Sequence, residues 1–485
     1  MSTTVPVREF YGSFVHGEEQ PAAASVSFET RDPSDGSVIT SVSRCGAADV
    51  DAAVTSAGAA FPAWRDLPGA ERGRILLAIA RALRENADGL ARVETIDNGK
   101  PLDSSRRDVE VAARYFDFYA GLADKLNGET IPLGPGYHSY TRLEPYGVTA
   151  HVVPWNAALQ QAARGVAPAL AAGNTAVVKP AEDTPLSCLE LGRLAVEAGL
   201  PAGVLNIVPG FGEEAGAALV SHPGVRRVTF TGSVPTGQSV MRAAAEHLSP
   251  VTLELGGKSP NIVFEDADLE AAARGSFIAI TENAGQVCAA GSRLLVHRSV
   301  HDEMVSRLVA LFETVSLGPG IENPSMGPIT TPAQFAKVRE YLELGPREGA
   351  KVAVGGGVPK DERLRQGQFV QPTIFTDVDN RMRVAQEEIF GPVLCVIPFD
   401  SEDEAVAIAN DTRYGLTAGM WTRDLGRAHR VAAALEAGQI SVNEWFAGGI
   451  GVPFGGYKQS GFGREKGVEA IHHYLQTKGI TARLP

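Results

Sequence analysis

From Gly147 onward the chain alternates short apolar runs with Ala- and Leu-rich stretches, and this alternation limits the fold more than any other feature. GVTAHVVP, NTAVVKP, GVLNIVPG and VRRVTFTG read as four strands separated by helical segments such as Leu186 to Ala198. Strands alternating with helices predict a mostly parallel sheet covered by helices, which binds nucleotides beyond the carboxyl ends of its strands. A second alternation follows: NIVFED, a helix over 269–284, RLLVHRSV, a helix over 302–315, strand-like segments at 369–379 and 393–398, a helix over 402–410, GLTAGMWT and QISVN. The fold class is therefore α/β. The boundary between the two units falls near Gly256 and Gly257, where the strand-like VTLEL breaks into glycines.

The segment before this alternation has a different texture. Residues 1–45 carry a turn cluster and a β-branched run, RDPSDGSVITSVS, expected to form a hairpin. A helical layer follows over 47–126, with Leu76, Ile79, Leu83 and Leu90 near helical spacing. The turn-rich stretch 127–145 reads as an extended arm, and the terminal ITARLP as a short strand.

At 485 residues the chain is long enough for two or more domains with large cores. Its four cysteines, Cys45, Cys188, Cys288 and Cys395, are far apart and form no CxxC pair, so they are expected to be thiols in a reducing compartment, with no metal site. No basic flank precedes an apolar run at the N-terminus and no apolar stretch reaches membrane length, which predicts a cytoplasmic protein. A net charge of −13 without a basic block argues against nucleic acid and for a small-molecule partner.

Few residues stand where chemistry needs them. Cys288, in AGQVCAAGSR, lies on tightly turning backbone that would let a substrate approach the sulfur, and reads as a nucleophile or as an inert buried thiol. Glu254, in LELGGKSP, sits between leucines, so desolvation should raise its pKa toward that of a general base, unless a cation such as Lys258 pairs with it. Asn156, in VVPWNAAL, offers an amide donor for an oxyanion or a helix cap. Gly232 and Ser233, in FTGS, follow a strand and open a helix whose N–H groups favour a phosphate. Lys179 and Glu182, in VVKPAE, could bond ribose hydroxyls, with the carboxylate favouring NAD over NADP, or could pair with each other. The glycines at 210, 212 and 216 only approximate a dinucleotide fingerprint.

Taken together and in order, VVPWN, VVKPAE, FTGS, LELGGKSPNIVF, GQVCAAGSR, EEIFGPV and PFGGYKQSGFGRE resemble the NAD(P)-dependent aldehyde dehydrogenase superfamily over essentially the whole chain. The glutamate and cysteine motifs stand 34 residues apart, as in that family. The resemblance implies a Rossmann-type cofactor domain (1–126 and 146–256, with 460–470 packed on it), an α/β catalytic domain (257–459) and a small β oligomerisation arm (127–145 and 471–485) that supports a homodimer or homotetramer. It implies Cys288 as nucleophile, Asn156 with the Cys288 N–H as oxyanion donors, and Glu254 as the base that hydrolyses a thioester. It also implies NAD, or NADP, held by Trp155 and Ser233 at the pyrophosphate, Lys179 and Glu182 at the adenosine ribose, and Glu388 and Phe390 at the nicotinamide end. The same fold also admits a non-catalytic protein or acyl transfer to coenzyme A.

Departures from the family pattern bear on the substrate. Ala157 and Ala158 follow Asn156 where Phe-Pro is frequent, and Gly165 replaces a lysine used in a proton path from Glu465. Gln161, Arg164, Glu282, Trp445 and Phe446 are candidates for the substrate tunnel. Arg164 matches a carboxylate-binding arginine of succinate-semialdehyde dehydrogenases, but Glu282 stands where those enzymes have a second one, so the opposed charges suit a carboxylated aldehyde poorly. A neutral or aromatic aldehyde therefore ranks first, with Trp445 and Phe446 as an aromatic wall, and a semialdehyde held by Arg164 second.

Overall fold

The first alternation folds into an eight-stranded sheet whose central strands run parallel in the spatial order Val251–Glu254, Val225–Thr231, Val148–Val152, Thr175–Lys179, Leu205–Ile207. Val148–Val152 comes first in the chain, and later strands are added to one side of it and then to the other. The order thus reverses between Val148–Val152 and Val225–Thr231, and a crevice opens beyond their carboxyl ends. Short antiparallel strands complete the sheet: Gly461–Phe462 on one edge, and Ser13–Val15 with Glu18–Gln20 on the other. The structure is a computed structural model and describes residues 6–446 and 448–485.

Helices Gly69–Glu85, Ala87–Asn98, Leu102–Ala120 and Ala158–Ala171 bury Leu76, Leu83, Leu90, Phe116, Leu159 and Val166 in one apolar core. Burying such side chains is worth about 1.5–3 kcal/mol each. The expected hairpin forms as Ser27–Arg31 paired with Val38–Ser43.

The second alternation forms a seven-stranded sheet. Its strands lie in the order Lys351–Val354, Thr373–Thr376, Val393–Phe399, Arg293–His297, Pro260–Val263, Thr417–Trp421, Gln439–Val442, parallel except for the first. Leu475–Arg483 pairs antiparallel with Tyr137–Pro145 along its whole length, so the arm and the C-terminal strand are one small sheet. Among the described residues no helix is long and apolar enough to cross a membrane.

One expectation is corrected, and one element is new. The helix expected to run to residue 284 is Leu269–Thr281, because Asn283 and Ala284 turn left-handed at φ 46° and 53°. The helix Pro332–Glu348 was not foreseen, although it buries Val338, Tyr341, Leu342 and Gly345 at helical spacing.

Arg293 ties the second sheet together. Fully buried, it donates to the carbonyls of Lys258, Ile408 and Ala409 at 2.9, 2.8 and 2.7 Å and to Asn380 Oδ1 at 3.0 Å. Arg293→Met leaves these acceptors buried and unpaired, and is expected to cost at least about 3 kcal/mol. A thermal melt checks this; an unchanged midpoint would contradict it.

Candidate active site

Cys288 is presented by a strained turn. Asn283, Ala284 and Gly285 are successive left-handed residues, the last at φ 72°. A Cβ on Gly285 would lie 2.2 Å from the Gly391 carbonyl, so only glycine fits there. Gln286 locks the turn: its Oε1 accepts from Thr330 N–H at 2.8 Å and its Nε2 donates to Asn283 O at 2.9 Å. Gly257, in the glutamate motif, packs so closely that its Cβ would lie 2.5 Å from the Cys288 carbonyl, which joins the two motifs in space. Cys45, Cys188 and Cys395 are buried, whereas Cys288 is partly open.

Two cavities meet at this sulfur. The larger, about 310 Å³, includes Tyr115, Val287, Phe446, Ile450 and Phe454 in its wall; the smaller, about 160 Å³, lies toward the crevice of the first sheet. Cys288, Asn156 and Gln161 line both. A substrate on one side and a cofactor on the other could therefore reach the same atom.

Glu254 ends the strand Val251–Glu254 and faces the smaller cavity. It is 2% exposed, and neither carboxylate oxygen has a hydrogen-bond partner among the described residues. Burial, aided by the nearby Glu465 carboxylate, holds its pKa well above the usual range, although Arg164 pulls the other way. Lys258 is not its partner: that ammonium is likewise buried, with no hydrogen bond among the described residues. A carboxylate with vacant lone pairs beside a cysteine can take a proton from water.

Asn156 precedes the helix Ala158–Ala171 and does not cap it; the capping position is Ala157. One N–H of Asn156 Nδ2 goes to the Gln286 carbonyl at 2.9 Å, leaving the second for a ligand. Its Oδ1 accepts from Gln161 Nε2 at 3.3 Å, and Gln161 Oε1 accepts from Arg164 Nη2 at 2.6 Å. This chain ends in a buried ion pair between Arg164 and Glu465. Burial acts to lower the Arg164 pKa, but Glu465, with Tyr115, Glu254 and Cys288, together outweighs it and keeps the guanidinium charged.

That pair corrects the expected opposition of Arg164 and Glu282. Arg164 is spent on Glu465, while Glu282 opens at the cavity mouth near Asp108, Arg107 and Lys100. Loss of solvent on its protein side, reinforced by Asp108, raises the Glu282 carboxyl. The expected aromatic wall is half corrected: Phe446 lines the larger cavity, but Trp445 is absent from its lining. The Trp445 indole packs against Gly291 and Gly419, where added Cβ atoms would come within 3.0 and 2.7 Å of it. Gly165 has its own reason, since a side chain there would meet His151 Nδ1 at 2.7 Å.

The smaller cavity is lined by Trp155, Gly232, Ser233, Glu254, Glu388 and Phe390, all singled out in the sequence. Ser233 caps the helix Val234–Ala245, accepting from Thr236 N–H at 3.4 Å. Trp155 and Phe390 meet edge to face at 5.3 Å, and Glu388 Oε1 accepts from Gly257 N–H at 3.0 Å. Lys179 and Glu182 lie outside this lining and bond each other at 2.7 Å.

Several residues escaped the sequence reading because their motifs are remote. Gln334 donates to the carbonyls of Ile389 and Phe390 at 2.7 and 2.9 Å, and Lys337 faces the smaller cavity with its pKa lowered by burial. Both stand on the unforeseen helix Pro332–Glu348. Lys466 lies in the larger cavity in a conformation (φ 61°, ψ 173°) that side chains rarely adopt, at a cost of about 1–3 kcal/mol. Its adjacency to Glu465 was visible; its orientation was not.

A sequence model of the Aldehyde dehydrogenase family matches residues 21–480. The chain belongs to this family. Within the family it is 45% identical to a hydroxyisobutyraldehyde dehydrogenase of Mycolicibacterium austroafricanum, over 97% of this chain and 93% of that protein. It superposes on an NAD+ complex of an aldehyde dehydrogenase from Bacillus cereus with a TM-score of 0.96 and 43% identity, covering 99% of this chain and 98% of that one. A betaine aldehyde dehydrogenase from Staphylococcus aureus in complex with NAD+ is similar at TM-score 0.95 and 39% identity, covering 98% of this chain and 94% of that one.

In this aldehyde dehydrogenase the resting Cys288 thiol is pushed up to about 11 by burial, with Arg164 acting to lower it and Glu254 to raise it. Only the thiolate alkylates, so without cofactor the rate with iodoacetamide is expected to climb about tenfold per pH unit between pH 7 and 10. A plateau near neutrality would contradict this.

Proposed function

We propose that the protein oxidises an aldehyde to a carboxylic acid with NAD, through covalent attachment to Cys288. The position of Cys288 at the junction of two cavities carries this reading. The Cys288 thiolate adds to the carbonyl carbon, and the second N–H of Asn156 together with the Cys288 N–H stabilises the oxyanion. NAD, when bound, supplies the hydride acceptor that lets this thiohemiacetal become a thioester. Glu254 then takes a proton from water, which attacks the thioester and releases the acid and the thiol. A base with no hydrogen-bond partner among the described residues favours hydrolysis over transfer to another thiol and over a non-catalytic role.

The residues around the smaller cavity fit a dinucleotide. The N-terminus of Val234–Ala245 and the Lys337 ammonium, which forms no ion pair among the described residues, suit phosphate and ribose oxygens; Trp155, Glu388 and Phe390 suit the nicotinamide end. Glu182 at the end of Thr175–Lys179 favours NAD over NADP. Tyr115, Phe446 and Phe454 offer an apolar bed for the body of the aldehyde. The mostly exposed strand Leu475–Arg483 suits assembly into a homodimer or homotetramer, and we assign the protein to the cytoplasm.

Cys288→Ala is expected to abolish aldehyde-dependent NADH formation, by at least about a thousandfold. Glu254→Gln should keep a pre-steady-state burst of NADH while slowing steady turnover by at least about a hundredfold. Stopped-flow absorbance separates the two; full turnover by either variant would contradict the assigned roles.

A further inference from the structure

The wall of the larger cavity is cationic in a chain of net charge −13. It carries Lys100, Arg107, Arg114, Arg164 and Lys466 against Asp108 and Glu282. Two of these cations are neutralised internally: Lys100 binds Glu94 and Asp108 at 2.9 and 2.7 Å, and Arg164 binds Glu465. The other three form no ion pair among the described residues. Arg107 and Arg114 are exposed and stand seven residues apart on the helix Leu102–Ala120, hence on one face, with Val111 between them in the lining. Lys466 lies deeper. Its ammonium stacks on the rings of Phe446 and Phe454 at 5.2 and 4.9 Å from their centroids and makes no hydrogen bond among the described residues. Aromatic faces steady a cation without cancelling its charge, so this ammonium keeps its full demand for an anion.

We infer that the aldehyde this enzyme takes carries a carboxylate, drawn in past Arg107 and Arg114 and bound by Lys466 while the carbonyl faces Cys288. This rests on the proposed aldehyde oxidation and reverses the preference for a neutral substrate, which depended on a charge opposition that Arg164 does not make. It also differs from recognition through Arg164, whose guanidinium Glu465 already holds. Glu282, the one carboxylate of the wall without an ion pair among the described residues, is exposed to solvent, which screens its opposition to an incoming anion.

Lys466 adds a pH signature. Burial, with Arg164 beside it, lowers its pKa to about 8, while Cys288, Glu465 and Glu254 act to raise it. The protonated form binds the carboxylate, so the preference for an anionic aldehyde should be complete below that pH and fade above it.

The test compares succinate semialdehyde and glutarate semialdehyde with their methyl esters, which keep length and aldehyde but lose the charge. The wild-type enzyme is expected to favour the acids over the esters in kcat/KM by at least about tenfold. Lys466→Met should reduce that ratio by about the same factor, chiefly through KM, and Lys466→Arg should preserve it and keep it above pH 8. Arg107→Gln with Arg114→Gln should flatten the salt dependence of kcat/KM for the acids. Equal use of acid and ester by the wild-type enzyme, or an unchanged ratio in Lys466→Met, overturns the inference. If Lys466→Met does not fold, the pH dependence of the ratio in the wild type and in Lys466→Arg decides it. Turnover of acids and esters alike that survives Cys288→Ala would instead defeat the proposed reaction itself.

Discussion

The buried ion pair between Arg164 and Glu465 is the contact on which the rest of the site depends. It joins the helix that follows the strand Val148–Val152 of the eight-stranded sheet to a segment some three hundred residues later. From Arg164 a chain of amides passes through Gln161 to Asn156, so the proposed oxyanion donor is oriented from the same anchor. A buried pair of this kind contributes little net stability, since desolvation offsets most of the attraction, but losing one partner would leave the other charge uncompensated. Its value here is positional and electrostatic.

The electrostatic consequence divides the site in two. Glu465 consumes the charge of Arg164 and adds its own negative field near Glu254, which burial already disposes to accept a proton. With Arg164 paired to Glu465, Lys466 is a cation near the sulfur held on two aromatic faces, with no ion pair of its own among the described residues. The proposed base and the proposed substrate anchor thus draw on one arrangement of charges. The narrow contact between Gly257 and the Cys288 carbonyl keeps the segments carrying Glu254 and Cys288 in register.

What could be read from the sequence follows from how local each signal is. The parallel sheets were legible because each strand-helix unit is contiguous, and Cys288, Glu254 and Asn156 because each sits in a short motif with its own turn chemistry. The Arg164 partner was not legible, since Glu465 approaches only through the fold, and the expected opposition of Arg164 and Glu282 set against each other two charges that face different neighbours. Trp445 and Phe446 are adjacent yet diverge: Phe446 has φ 63° and turns into the cavity, while Trp445 fills the space left by Gly291 and Gly419. The helix Pro332–Glu348 has a narrow apolar face, four buried residues among many charges, and ends over Pro346, which obscured its period.

The central claim is that one sulfur receives the substrate from one cavity and gives up its acyl group to water activated from the other. Peptide-mapping mass spectrometry of Glu254→Gln, quenched after a single turnover with NAD and aldehyde, tests it directly. The account predicts an acyl adduct on the peptide carrying Cys288 and none on those carrying Cys45, Cys188 or Cys395. An adduct on another cysteine, or hydride transfer with no adduct at all, would contradict it.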